Sequence, residues 1–225
     1  MAQKQADGGA ERRTGGGAAD LIERLEQEIV LGTRFPRERL VEDELMERYD
    51  AKRHVVRSAL KELESQGLVE RRRNIGSFVR AYTAKELRDV YAVRELLETH
   101  CAGLIELPVA IDRLAALTAI QKDHDAAVDT ADLPALVHSN TAFHQVLFGL
   151  ADNAALVETI NRHARMTHAV RSVTATSADL RERSRKEHWA IIRALTDGDR
   201  ESLVETCRAH LLPSRDAYLQ RVATH

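Results

Sequence analysis

Apolar positions along the first third of the chain recur at helical spacing in three short segments and then switch to two brief β-compatible runs. The first segment runs from Asp20 to Leu31 and stops at Gly32 and the Phe35-Pro36 step. The second covers about Val41 to Tyr49, with Glu42, Asp43 and Glu44 in its first turn, where negative charge suits the helix dipole. The third begins at Asp50 or Ala51 and ends at Gln66, with Gly67 as the expected C-terminal glycine cap. On a helical wheel Val56, Leu60 and Leu63 make one narrow apolar stripe, and Arg53, Arg57 and Lys61 make a separate basic stripe with His54 beside it. Leu68 to Arg80 then reads as a β-hairpin around the basic turn Arg72-Arg73-Asn74.

From Thr83 onward the pattern is helical. Thr83-Ala84-Lys85-Glu86 has the spacing of a capping box and marks a new helix and a new domain. Further helices are predicted over Ala110 to Val128, Leu133 to Leu150, Ala154 to Ser172, Asp179 to Thr196 and Glu201 to Val222. Breaks fall at Pro108, Ala131-Asp132, Asp152-Asn153, Thr174 to Ser177 and Gly198-Asp199. Residues 1–18, rich in Gly, Ala and charge without periodicity, are expected to be a disordered tail.

Composition adds two constraints. The net charge of −2 over 225 residues gives no overall attraction to nucleic acid, but Arg48 to Arg80 carries nine Lys/Arg against four Asp/Glu. That local excess is the footprint phosphate binding needs. Cys101 and Cys207 form no paired motif and are read as thiols of a reducing cytosol. No apolar signal or membrane-spanning segment is evident, so a cytoplasmic protein is expected.

A short helix, a helix with a cationic face and a basic hairpin, in that order, make the winged helix-turn-helix layout. The N-terminal half of the third helix would enter the major groove, where arginine can bond bidentately to guanine. The hairpin tip would lie on the backbone or in the minor groove.

In the helical part the informative residues are polar ones on apolar faces. Val137, Asn140, Thr141, His144, Leu147, Phe148 and Ala151 form one inward stripe, with Asn140 and His144 a helical turn apart. His188 shares a face with Ile191, Ile192 and Leu195, and His210 with Leu203, Cys207 and Leu211. If Gly198-Asp199 turns the last two helices into a hairpin, His188 and His210, ten residues before and eleven after that turn, lie at the same height. At helical rise each is about 15 Å from it. Three inward histidines and an amide suit zinc or another first-row divalent ion. Arg94, on a stripe with Val90, Val93, Leu97 and Cys101, needs an anionic partner: either Glu98 or a small carboxylate held between Arg94 and the metal. Arg171, near the stripe of Ile160, Thr167 and Val170, is a second such candidate.

Gly32 through Pro36, Arg39-Leu40-Val41-Glu42-Asp43-Glu44-Leu45, Arg53, Val56-Arg57-Ser58-Ala59-Leu60, Leu63, Gly67-Leu68-Val69 and Gly76-Ser77-Phe78-Val79 resemble the N-terminal domain of GntR-family bacterial regulators. The resemblance implies DNA contacts by Arg53 and Arg57 and a minor-groove contact by the wing. Lys52, His54, Lys61, Arg72, Arg73, Asn74 and Gly76 join them as candidate DNA-binding residues. The family usually has Ser in place of Lys52, often Pro for Val55 and Glu for Ser58; with the usual cap missing, Asp50 is expected to cap the third helix instead.

From about Thr83 to the end, Tyr91 to Glu98, Ala142-Phe143-His144, Asp152-Asn153, Glu187-His188 and His210-Leu211 resemble the FCD-type effector domain of the FadR-like branch. In metal-binding relatives the ligands match Asn140, His144, His188 and His210, the first commonly Asp. Asn140 removes a negative charge, which should lower metal affinity and favour an anion at open positions of the ion; His163 is a possible substitute ligand.

The expected fold class is therefore mainly α: a winged helix-turn-helix of three helices plus a β-hairpin over residues 19–80, then an all-α antiparallel bundle over 83–225. The expected partners are near-palindromic double-stranded operator DNA, a small organic acid and a second copy of the chain, since each winged helix reads a half-site. No membrane partner is expected. One alternative is a metal-dependent enzyme. It is disfavoured because no carboxylate general base is evident and a winged helix has no role in such catalysis. Another is a DNA-binding protein whose bundle only dimerises.

Overall fold

A computed structural model describes residues 17–168, 170 and 176–223, with nothing described for the side chains of residues 222 and 223. Arg171 and the first sixteen residues of the expected tail lie outside the described residues. Helix α1 spans Ala18–Val30, strand β1 Arg39–Leu40, α2 Glu42–Tyr49, α3 Arg53–Ser65, β2 Val69–Arg72 and β3 Gly76–Val79. Then follow α4 over Ala84–Leu104, α5 over Ile111–Thr130, α6 over Leu133–Gly149, α7 over Ala154–Met166, α8 over Ala178–Asp197 and α9 over Arg200–Ala223.

The first core is wholly apolar. Leu21, Leu25 and Ile29 of α1 pack with Leu45 of α2 and with Val56, Ala59, Leu60 and Leu63 of α3, closed below by Val69 and Val79. The expected stripe on α3 is thus buried, with Ala59 added, and its basic stripe faces out. The sheet is three-stranded in the order β1-β3-β2, with Arg39 opposite Phe78 and Val69 opposite Val79. The hairpin was predicted, but β1 was not: two residues carry no local signal and are a strand only because β3 offers an edge.

The capping expectation for Asp50 is corrected. Asp50 has φ 47° and ψ 46°, the left-handed conformation that ends α2, and α3 starts at Arg53 after Lys52, whose side chain caps nothing. Aspartate tolerates that conformation better than most residues, and the tight turn between the two helices demands it. Thr83 does form its capping box: its hydroxyl accepts from the Glu86 N–H, while the Glu86 carboxylate accepts from the Thr83 N–H.

The larger core is built by α4 to α9 around Cys101, Ile105, Leu117, Phe143, Leu147, Ile191, Leu195 and Leu203. Gly198, at φ 76°, turns α8 into α9 as expected. Two inward faces differ from expectation. On α4 the buried line is Leu87, Tyr91, Arg94, Glu98 and Cys101, whereas Val93 is 41% exposed. On α6 the buried residues are Leu136, Ser139, Phe143, Leu147 and Phe148: Leu147 and Phe148 lie on the predicted stripe, but Leu136, Ser139 and Phe143 are buried beside it, because the helix is covered on two sides, by α5 and by α7 with α4. No helix among the described residues is long and apolar enough to cross a membrane.

Candidate functional site

Three helices deliver the histidines. His144 on α6, His188 on α8 and His210 on α9 place one ring nitrogen each within 4.8 Å of one another. The Nε2 atoms of His144 and His210 are 3.1 Å apart, and the His188 and His210 ring centroids 4.8 Å. Metal–nitrogen bonds of ~2.0–2.1 Å put two ligand nitrogens about 3.0–3.4 Å apart, so the His144–His210 spacing is that of two ligands to one divalent ion. The equal-height argument for His188 and His210 therefore holds.

Residues behind the rings set their orientation. His210 Nδ1 is 2.8 Å from Glu187 Oε2, the carboxylate–imidazole pairing that raises ligand basicity. His188 Nδ1 is 2.8 Å from the Gln121 Oε1, and Gln121 Nε2 donates to Asp125 Oδ1 at 2.7 Å. Because the amide nitrogen is committed to Asp125, its oxygen faces His188, whose Nδ1 must donate. The neutral ring then carries its lone pair on Nε2. Trp189 Nε1 fixes the far side of Asp125 at 3.0 Å. Burial opposes the Glu187 charge, but the His210 hydrogen bond and the adjacent Arg183 outweigh it and hold the carboxyl below its ordinary value. Buried His124 rests against His188 at a centroid distance of 4.8 Å; burial first, then the nearby His210, depresses it to about 4.

Sequence reading missed Gln121, His124 and Asp125. The signal was present: Leu114, Leu117, Gln121, His124 and Ala127 continue one buried face of α5. His163 is not brought to the cluster, its Nδ1 lying 2.9 Å from the Thr159 carbonyl oxygen.

Asn140 and His144 line a cavity of about 70 Å³ together with Arg94, Glu187 and His210. A second cavity of about 230 Å³ shares Arg94, Glu98, Thr141, His144 and His168 with it as walls. Arg94 is 2% exposed. Its Nε donates to Glu98 Oε1 at 2.8 Å and its Nη1 to Thr167 Oγ1 at 2.9 Å. The internal partner for Arg94 thus exists, yet the pair lies on the cavity wall.

At the other end Lys52, Arg53, His54, Arg57, Lys61, Arg72, Arg73 and Asn74 are all exposed. Arg53 bonds Asp43 at 2.6 Å and Glu42 at 3.4 Å, and Arg57 Nε bonds Glu42 at 2.9 Å. Arg72 lies over the Phe78 ring at 4.5 Å. The wing tip turns through Asn74 at φ 60°, and Gly76, at φ 126°, sits where a side chain would be strained.

A three-helix unit with a winged hairpin, joined to a helical bundle with an inward histidine cluster, is the architecture of a transcriptional regulator. The family model for bacterial regulatory proteins of the gntR family matches residues 17–79, and that for the FCD domain matches residues 89–212. The chain belongs to the GntR family and carries an FCD domain; it is a transcriptional regulator, and the metal-dependent enzyme alternative falls. It is similar to the HTH-type transcriptional regulator YdhC of Bacillus subtilis (strain 168), 24% identical over 188 residues, 83% of this chain and 84% of that protein. The structure of a transcriptional regulator GntR from Rhodococcus sp. RHA1 superposes with a TM-score of 0.75 at 22% identity, covering 92% of this chain and 98% of that one. The metal-free FCD domain of TM0439 superposes with a TM-score of 0.53 at 18% identity over 64% of this chain and 99% of that one.

Proposed function

We propose that residues 19–80 bind operator DNA through α3 and the wing, and that residues 83–225 modulate this binding through a small carboxylate held at a divalent-metal site. Arg53 and Arg57 would read base edges, with Lys61 and His54 beside them. Lys52, Arg72, Arg73, Asn74 and the backbone at Gly76 would meet phosphate or the minor groove. The uncapped start of α3 favours this role, since its free N–H groups and dipole suit a phosphate.

The observation that carries the sensing half is the convergence of His144, His188 and His210 with outer partners that orient two of the rings. Asn140, one turn before His144, would complete the ligand set as a neutral oxygen donor. A bound divalent ion would supply a Lewis acid whose open positions accept a carboxylate oxygen. Arg94 would then face the anion from the cavity wall, and Arg171 is a second candidate. The chain would act as a homodimer on a near-palindrome. Val93, Leu96 and Leu104, 41%, 70% and 45% exposed, line up along the outer face of α4 as an apolar surface for it.

Metal analysis of protein prepared without chelator tests the site. About one divalent ion per chain is expected, lost in His144→Ala and His210→Ala. Asn140→Asp should tighten the metal and weaken carboxylate binding, because it adds negative charge beside the anion. If all three histidine-to-alanine variants keep the wild-type metal content, the site does not exist.

A further inference from the structure

The second cavity is walled by α4, α6 and α7, and also by Glu26 of α1, which belongs to the other core. Glu26 Oε1 lies 3.0 Å from His168 Nδ1; the His168 side chain is 9% exposed and that of Glu26 28%. Four groups of fixed charge type line this cavity: Arg94, Arg165, Glu26 and Glu98. Arg94 and Glu98 pair at 2.8 Å, so Glu26, bonded to His168, is the remaining acid and Arg165 the remaining base on this wall. With Glu26 withdrawn, the cavity carries a positive excess. A carboxylate of the DNA-reading half therefore sits where an anion is favoured.

His168 ends a strip that touches both halves. The Tyr82 hydroxyl donates to the Met166 carbonyl at 2.7 Å, and Arg94 donates to Thr167 at 2.9 Å. Met166 packs on Gly67, two residues past the end of α3, so closely that a Cβ there would stand 3.0 Å from its Cγ. The cavity wall is thus bonded to α1 and pressed against the end of the recognition helix.

We propose that the second cavity is an anion position filled by Glu26 in the absence of ligand. It accepts the second carboxylate of a two-ended organic acid whose first carboxylate is held at the histidine cluster. This rests on the metal-site reading above. Arg94, Glu98, Thr141, His144 and His168 line both cavities, so the two adjoin and a two-ended acid would reach from one into the other. A monocarboxylate occupies the first cavity and leaves Glu26 in place. A dicarboxylate displaces Glu26 from His168 and so unfastens α1; only a ligand that favours the released arrangement shifts its population.

The test is calorimetric titration of the full chain, as purified with its metal, with succinate and glutarate against propionate and butyrate. Glu26→Gln should tighten the diacids about fivefold or more and leave the monoacids within about twofold, as expected for removal of one linked competitor. Arg165→Met and His168→Ala should abolish the preference for diacids. Hydrogen exchange in α1 should rise when glutarate is added to the wild type and should already be raised in Glu26→Gln without it. Equal changes for both acid classes, no change for either, or α1 exchange indifferent to glutarate would overturn the proposal. If propionate binds and His144→Ala abolishes that binding, the histidine site stands and only the second position falls; if no acid binds, both fall.

Discussion

Between Leu21 and Val79 every buried side chain is apolar, whereas beyond Tyr82 the interior also holds Arg94, Glu98, Gln121, His124, Ser139, Thr167, His168 and His188. The winged-helix half keeps its proposed DNA contacts outside a dry core, where arginine costs little in desolvation and can exchange partners. The FCD half puts its proposed binding groups inside, where each must be matched by another or by a ligand. Substitutions of the same chemical kind should therefore act on different quantities in the two halves.

The largest contrast is expected from arginine-to-alanine changes. Arg94→Ala strands Glu98 in the core and should cost about 3–5 kcal/mol of stability. Urea unfolding measures this, and a loss under about 1 kcal/mol would mean that water reaches the carboxylate. Metal removal comes next. If an ion bridges α6, α8 and α9, chelation should lower stability by about 2.7 kcal/mol when metal had been present at a hundred times its dissociation constant. Melting curves with and without chelator show it, and coincident curves would break the parallel between ligand and core.

Arg57→Ala should reverse the pattern, leaving stability within about 0.5 kcal/mol. It should weaken specific operator binding by about 1–3 kcal/mol in gel-shift titrations. Unchanged affinity in Arg53→Ala/Arg57→Ala would remove α3 as the reading helix. Replacing Arg72 and Arg73 together should weaken all sequences alike and lower the salt dependence of binding. The smallest effect is at the start of the second half: Thr83→Ala removes a capping box and should cost about 1 kcal/mol, with operator affinity unchanged.

The same contrast decides what could be read from sequence. A dry core leaves clean stripes, so α3, its basic face and the hairpin were legible to within a few residues. Only β1 and the role of Asp50 escaped, because both are set by neighbours rather than by local pattern. In the bundle, polar residues occupy buried faces, and the rule that marks inside by hydrophobicity fails where it matters. His144, His188 and His210 were found because helix spacing and the hairpin turn fix their heights independently of polarity. Gln121 and His124 are passed over because they put polar side chains on the face of α5 that Leu114, Leu117 and Ala127 mark as inward, and Asp125 lies beside that face. Glu26 was beyond reach: nothing in α1 announces that its outer face meets His168, 142 residues away in the chain.

The ion pairs of Arg53 and Arg57 with Glu42 and Asp43 have a consequence for how the protein searches DNA. Arg53 and Arg57, the proposed recognition side chains, do not wait in bare solvent; they are held by acids of α2, at side-chain exposures of 50% and 64%. A phosphate met on random sequence must displace a carboxylate that already serves the same guanidinium, so the net gain from each such encounter shrinks. A guanine edge at the correct position offers two aligned acceptors in exchange. On the proposed reading, the acidic first turn of α2 would thereby act as a filter, discounting contacts that carry charge alone and leaving the margin to those that carry sequence.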